Sequence, residues 1–290
     1  MSTINRLWHA TAMGPDYDGL LGPLQNLFGA VVMHDHASDA PGVGRRGGMI
    51  WIGDNSIEIG APVGDQSPVR NFVEKWGGGM HSIAFHVDSA RETEERLAAL
   101  GLTPQAHLDD HIFFTKPAES AGLLLEWSDT NTDDDPRWGY PLRELAQPPA
   151  VPVRQYAFVT AVVQDPPAVA ERLAAVLGTE VLRVRDDAAP DQVAAVVSLV
   201  DCLLLLFPMP PQGASQQLWG TDIRRNRFHA HGLRVDDVSD ALARLEPRGV
   251  RAVATIDGMV YLDPAALPVP TFLVQELLAD DPRRGASAAA

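Results

Sequence analysis

The feature that most constrains this 290-residue chain is an internal duplication. The run His81-Ser82-Ile83-Ala84-Phe85-His86-Val87-Asp88 matches His229-Ala230-His231-Gly232-Leu233-Arg234-Val235-Asp236. The register continues through Leu97 with Leu245 and Gly101 with Gly249, always 148 positions apart. The starts of the halves correspond too. His9-Ala10-Thr11-Ala12, then a helix ending in Leu27-Phe28-Gly29, parallels Phe158-Val159-Thr160-Ala161, then a helix ending in Val176-Leu177-Gly178, 149 positions on. A register held across a strand, a helix and its glycine stop marks one ancestral domain, duplicated.

Within each half the order strand, helix, three strands occurs twice. In the first half the alternation of apolar and polar residues predicts strands near 6–13, 30–36, 48–53, 56–61, 80–87, 103–107, 110–115 and 122–128, with helices near 17–28 and 89–100. The second helix places Ala90, Thr93, Leu97 and Leu100 on one side and its charges on the other, so it should cover one face of a sheet and leave the other free for a ligand. The fold class is α+β. Residues 1–128 and 154–279 are the two domains. The acidic, proline-rich segment 129–153 reads as a linker with one helical turn near Leu142 to Leu145, and 280–290 as a disordered tail.

Four polar residues interrupt the apolar strands of the first half: His9, Glu58, His81 and Glu126. Alternation puts each on one face of its strand, and a buried carboxylate or imidazole needs a partner. Two imidazoles and two carboxylates form an N/O donor set suited to Fe, Mn, Co, Ni or Zn, without a thiolate. The competing reading is four hydrogen-bonded or solvent-facing strand residues. The single cysteine, Cys202, lies in the apolar run to Phe207 and reads as an inert core residue in a reducing cytoplasm. With 38 acidic against 23 basic residues, the net charge of −15 argues against nucleic-acid or anionic-membrane partners. No signal peptide or membrane-length apolar run is evident.

The stretch Ile57-Glu58-Ile59-Gly60-Ala61-Pro62, then Ser67-Pro68-Val69-Arg70-Asn71-Phe72-Val73-Glu74-Lys75 and Gly77-Gly78-Gly79-Met80-His81, resembles the vicinal oxygen chelate superfamily. That superfamily includes glyoxalase I, methylmalonyl-CoA epimerase, extradiol dioxygenases and bleomycin-resistance proteins. The first half looks like the methylmalonyl-CoA epimerase branch, as does Lys116-Pro117-Ala118-Glu119-Ser120-Ala121-Gly122 running on to Glu126. The resemblance spans nearly the whole chain and implies tandem βαβββ modules forming two open-barrel domains. It places one divalent metal ion on His9, Glu58, His81 and Glu126. The corresponding positions of the second half are Phe158, about Leu204, His229 and Gln275 or its neighbour Glu276, which suits a domain without metal.

A four-ligand site with two neighbouring open positions suits bidentate capture of a small substrate and proton removal next to a carbonyl. The expected function is therefore a metal-dependent isomerase, epimerase or lyase acting through a stabilised enolate on a 2-oxo, 2-hydroxy or acyl-thioester compound. Glu58 or Glu126 is the base, and His36 and His111 are further candidates for proton transfer. One departure from the epimerase pattern is that Val31 to Trp51 offers no Glu, only Asp35 and Asp39. Arg45-Arg46, the compact basic pair nearby, reads as a solvated loop. The alternatives are an extradiol-type ring-cleaving dioxygenase, although that family usually keeps its metal in the second half, and a metal-free small-molecule-binding protein. A homodimer is left open, and the expected location is the cytoplasm.

Overall fold

A computed structural model describes residues 3–38, 44–145 and 147–284. The first half runs β1 (Arg6–Met13), α1 (Tyr17–Phe28), β2 (Val31–Ser38), β3 (Arg45–Ile52), β4 (Asn55–Pro62), α2 (Arg70–Trp76), β5 (Gly79–His86), α3 (Ala90–Ala99), β6 (Pro104–His107), β7 (Ile112–Thr115) and β8 (Leu125–Ser128). The second repeats it as β9 (Gln155–Val163), α4 (Pro166–Leu177), β10 (Val181–Val184), β11 (Ala195–Ser198), β12 (Leu203–Pro208), α5 (Ser215–Trp219), β13 (Arg227–Arg234), α6 (Val238–Leu245), β14 (Ala252–Ile256), β15 (Met259–Leu262) and β16 (Thr271–Val274). The short helix α2, seven residues long, has no place in the sequence reading; about two turns are too few for a periodic signal.

Each half forms one eight-stranded sheet, in the orders β2-β3-β4-β1-β5-β8-β7-β6 and β10-β11-β12-β9-β13-β16-β15-β14. Both are duplicated βαβββ modules, joined where β1 meets β5 and β9 meets β13. The duplication extends to helix ends. Asp16 and Asp165 cap α1 and α4 by accepting backbone N–H bonds, and both helices stop at a glycine in the left-handed region, Gly29 and Gly178.

Strand alternation divides each sheet into two faces. In the first half Leu7, Ala10, Ala12, Ile57, Ile59, Ile83, Phe85, Leu125 and Trp127 join one core with α1, α3, α4 and residues of the second sheet. His9, Thr11, Glu58 and Glu126 consequently point the other way. Leu100, placed by the sequence on the buried side of α3, instead forms its exposed C-cap.

The domains meet through reciprocal bonds at equivalent positions. Leu7 N–H donates to Asp201 Oδ1 at 2.8 Å, and Tyr156 N–H donates to Asp54 Oδ1 at 2.7 Å. Each acid sits in the turn before a central strand of its own sheet and caps the first strand of the other.

The segments after β8 and β16 carry a second repeat, Asp135-Pro136-Arg137 and Asp281-Pro282-Arg283. Both fold into a short 3-10 turn in which the arginine pairs with its aspartate. Arg137 donates to Leu7 O and Trp8 O; Arg283 donates to Tyr156 O and Ala157 O, the equivalent carbonyls. Thus Asp135 to Trp138 docks on the first domain, and the segment's helical turn is at Pro136–Trp138 instead of near Leu142 to Leu145. Asp281 to Arg284 is likewise ordered, in contrast to the expected disorder of that stretch; residues 285–290 lie outside the described residues.

Candidate functional site

On the open face of the first sheet, β1, β4 and β8 bring His9, Glu58 and Glu126 together. One donor atom from each lies within 4.8 Å of the other two. His9 Nε2 is 3.6 Å from Glu58 Oε2 and 3.6 Å from Glu126 Oε2, beyond hydrogen-bond reach of both. All three residues are buried, and neither ring nitrogen of His9 has a hydrogen-bond partner. A buried imidazole left without a bond but facing two carboxylates is the arrangement a shared cation completes. The residues present therefore fit a divalent ion.

His81 is not part of this trio. It lines the same cavity, but its Nδ1 lies 3.1 Å from Ser82 Oγ and its ring meets Phe72 edge-on. Simple alternation from Ile83 and Phe85 would send His81 to the core. A register shift between Thr11–Ser82 and Ala12–Met80 puts both His81 and Ser82 on the cavity side.

Glu58 and Glu126 of the trio lie in the wall of a cavity of about 500 Å³. Thr11, His36, Arg45, Phe114 and Leu124 also line it. Arg45 is the residue the sequence reading missed. Its Nη2 donates to Glu58 Oε1 at 2.6 Å, so it belongs to the site and not to a solvated loop. Arg46 points elsewhere, to Asp18 and over the Tyr17 ring. Adjacent strand residues face opposite ways, so a paired-arginine motif hid two separate roles.

His111 stands apart from the site. Its side chain, in the turn before β7, is exposed, and its Nδ1 is 2.8 Å from Asp129 Oδ1. Trp51 joins Met33 and Met49 in a small apolar cluster, while Phe114 lines the cavity. Asp39 lies outside the described residues.

The charges explain each titration. Burial opposes the charge on His9, but the carboxylates of Glu126 and Glu58 outweigh it and hold the imidazole at about 9. Burial likewise opposes ionisation of Glu58, yet Arg45 and His9 hold it down at about 2. His81 is pressed to about 4 by burial, with Arg45 and Arg227 adding to it against the pull of Glu58.

The second sheet shows what became of the same positions. Register pairs Thr160 with Leu205 as it pairs Thr11 with Glu58, and Gly232 with Phe272 as it pairs Ala84 with Glu126. The equivalents of the trio are therefore Phe158, Leu205 and Phe272, correcting Leu204 and Gln275 by one and three positions. All three pack in one apolar cluster. His229 sits beside Trp219 with Nε2 3.1 Å from Tyr261 Oη. Gly232 makes room for the Phe158 ring; a Cβ there would lie 2.2 Å from Cζ.

A duplicated sheet of this order, with an imidazole and two carboxylates converging on one open face, defines the class. The chain has the vicinal oxygen chelate fold, and its N-terminal half is similar in sequence to the methylmalonyl-CoA epimerases. It is 28% identical over 131 residues to an ethylmalonyl-CoA/methylmalonyl-CoA epimerase of Cereibacter sphaeroides, covering 42% of this chain and 96% of that one. It is 26% identical over 130 residues to the mitochondrial methylmalonyl-CoA epimerase of Homo sapiens, covering 42% and 73%. In fold it is similar to a triple mutant of 4-hydroxymandelate synthase from Streptomyces coelicolor, with a TM-score of 0.64 at 16% identity over 93% of this chain and 92% of that one. A xylose isomerase-like TIM barrel/4-hydroxyphenylpyruvate dioxygenase fusion protein gives 0.60 at 13% identity, covering 94% of this chain and 49% of that one. No protein-family model matches the chain. Among the described residues, no helix is long and apolar enough to cross a membrane.

Proposed function

We propose that the first domain is a divalent-metal-dependent isomerase or epimerase that moves a proton next to a carbonyl of a small oxygenated substrate. The observation that supports it most is the buried His9, Glu58 and Glu126 trio, with both His9 nitrogens unpartnered, beside a cavity of substrate size. The half that carries it is the half whose relatives are epimerases. His9, Glu58 and Glu126, with His81 as a further ligand, would hold a divalent ion that would supply Lewis-acid polarisation of substrate oxygens.

The remaining work falls to side chains. Arg45 keeps Glu58 ionised and fixes one of its oxygens, so Glu58 serves to hold and orient. Glu126 has no arginine or lysine partner among the described residues and is the carboxylate placed to accept the α-proton. The C–H electron pair passes to the carbonyl. Return of a proton to the opposite face, by His36 from β2, completes an epimerisation; its return to the same face regenerates substrate. Phe114 and Leu124 keep water from the carbanionic carbon. A lyase would start with the same proton removal and then expel a leaving group.

The dioxygenase alternative gains only fold likeness. The second-half positions where such enzymes usually hold metal are Phe158, Leu205 and Phe272 here.

The test is deuterium exchange. Metal-reconstituted protein in D2O should wash out the α-proton of at least one malonyl-type thioester, 2-oxo acid or 2-hydroxy acid, with loss of exchange on chelation. Absence of exchange across all three classes overturns the reading; oxygen uptake with a catechol or 2-oxo acid would replace it by the dioxygenase.

A further inference from the structure

A second cavity, of about 530 Å³, opens where the two domains meet. It shares His81 and Leu124 with the wall of the trio's cavity. Phe72 and Trp76 of α2 form one side, and Arg225 and Arg227, at the start of β13, form the other. The guanidinium carbons of Arg225 and Arg227 lie 5.1 and 5.0 Å from the centre of the Trp76 ring, and Lys75 Nζ lies 5.0 Å from it. Arg227 also stands 5.7 Å from the Phe72 ring.

Three cations thus surround one indole in a chain with a net charge of −15. Among the described residues none of the three forms an ion pair, whereas the adjoining Arg224 pairs with Asp222. Arg227 is the strongest anomaly. Its Nη1 is buried without a hydrogen-bond partner, and its Nε donates only to Phe228 O at 3.2 Å. Burial and the charge of Arg225 hold it down at about 10. Ring faces attract a guanidinium but do not fill its hydrogen-bonding fork. Asn226 pins the backbone between the two arginines, donating to Ala121 O and accepting from Gln164 N–H, both at 2.8 Å. The backbone between the two arginines is therefore held in place, and among the described residues no carboxylate pairs with either of them.

We infer that this interdomain pocket is an anion site for a phosphate-class group, gripped by Arg225 and Arg227, with Lys75 adding charge beside the Trp76 ring. Multiple positive charges with two guanidinium forks match a phosphoryl or pyrophosphoryl group better than a single carboxylate. His81 and Leu124 wall both cavities, so the anion site adjoins the proposed catalytic one, and its phosphate-class group is either free or the tail of a substrate bound there, which would deepen the proposed function. That step rests on the proposed reaction; the anion site itself does not.

Pyrophosphate binding, followed by Trp fluorescence and calorimetry on the full chain, tests the site without any chemistry. Wild-type protein should bind it in a salt-sensitive manner, and R225A and R227M should each weaken binding at least tenfold. R225A alters an exposed side chain, so it stays informative if R227M misfolds; equal melting temperatures for wild type and R225A verify this. No binding at millimolar pyrophosphate, or unchanged affinity in R225A, overturns the site. The source is resolved by comparing an acyl-CoA with the same acyl group on phosphate-free N-acetylcysteamine in the D2O exchange assay. A KM at least tenfold lower for the phosphorylated thioester, lost in R225A, identifies a substrate tail. Equal KM values with intact pyrophosphate binding overturn the tail and identify free phosphate as the ligand. Failure of all exchange with intact pyrophosphate binding would remove the proposed reaction and leave the site.

Discussion

At the residue scale the site is governed by the competition between burial and paired charge. His9, held at about 9 by Glu126 and Glu58, is protonated at neutral pH in the metal-free protein, yet a metal ligand must be neutral. Metal binding near pH 7 should therefore release about one proton, and affinity should fall about tenfold per pH unit below 9. Calorimetry in buffers of different ionisation enthalpy measures this; H9A should bind metal at least tenfold more weakly and release less than half a proton. Stability follows the same logic with its sign reversed. The raised pKa of His9 stabilises the metal-free fold fully below its unfolded value of about 6.5, and that contribution is lost as pH rises through 9. The depressed pKa of Glu58 stabilises above its unfolded value and is lost as pH falls towards 2. The metal-free protein should melt highest between about pH 5 and 6.5 and decline towards 9; saturating metal should reverse the alkaline slope. A metal-free melting temperature that rises from pH 6.5 to 9 would contradict the charged His9.

At the scale of single elements, the Asp-Pro-Arg turns are the parts with least warning in the sequence. Asp135 is fully buried and its only cation among the described residues is Arg137, which also donates to Asn55 Oδ1 and Ser56 Oγ at the start of β4. R137A leaves that buried carboxylate without its guanidinium and removes a donor from Leu7 O and Trp8 O of β1, at a cost of about 3–5 kcal/mol in denaturant unfolding. Lysine should restore less than half of it, because one ammonium cannot serve a planar fork's partners. In β13, G232A should cost about 1–3 kcal/mol, since its Cβ must displace the Phe158 ring from a filled core. A neutral result in either variant would show that the clasp, or the packing beneath Gly232, carries no stability.

At the scale of the whole molecule, one core runs beneath both sheets, and each half caps the other's first strand through Asp54 or Asp201. The intact chain should unfold in a single calorimetric transition. A chain ending at Ser128 lacks both the Arg137 clasp and the apolar cover from α4, so it should aggregate or fail to bind metal. Two separated transitions, or a stable metal-binding 1–128 fragment, would refute this coupling. The arrangement gives the second half a purpose without ligands: it closes the first half's core and supplies the cationic side of the interdomain cavity.

Much of this was legible in the residues themselves. Duplication was visible because a helix stop and a strand motif keep their register, and the faces of β1, β4 and β8 followed from alternation, a local property of extended backbone. That was enough to bring His9, Glu58 and Glu126 to one side of one sheet. What sequence could not supply were features set by pairing between strands distant in the chain. The bulge that turns His81 towards the cavity is one. Another is the register that makes Leu205 and Phe272, not Leu204 and Gln275, the counterparts of the carboxylates. The pairing of Arg45 with Glu58 and the approach of Arg225 and Arg227 to Trp76 join residues whose separation along the chain carries no signal. Periodicity records which way a side chain faces its own backbone; only the packed sheets decide what it meets there.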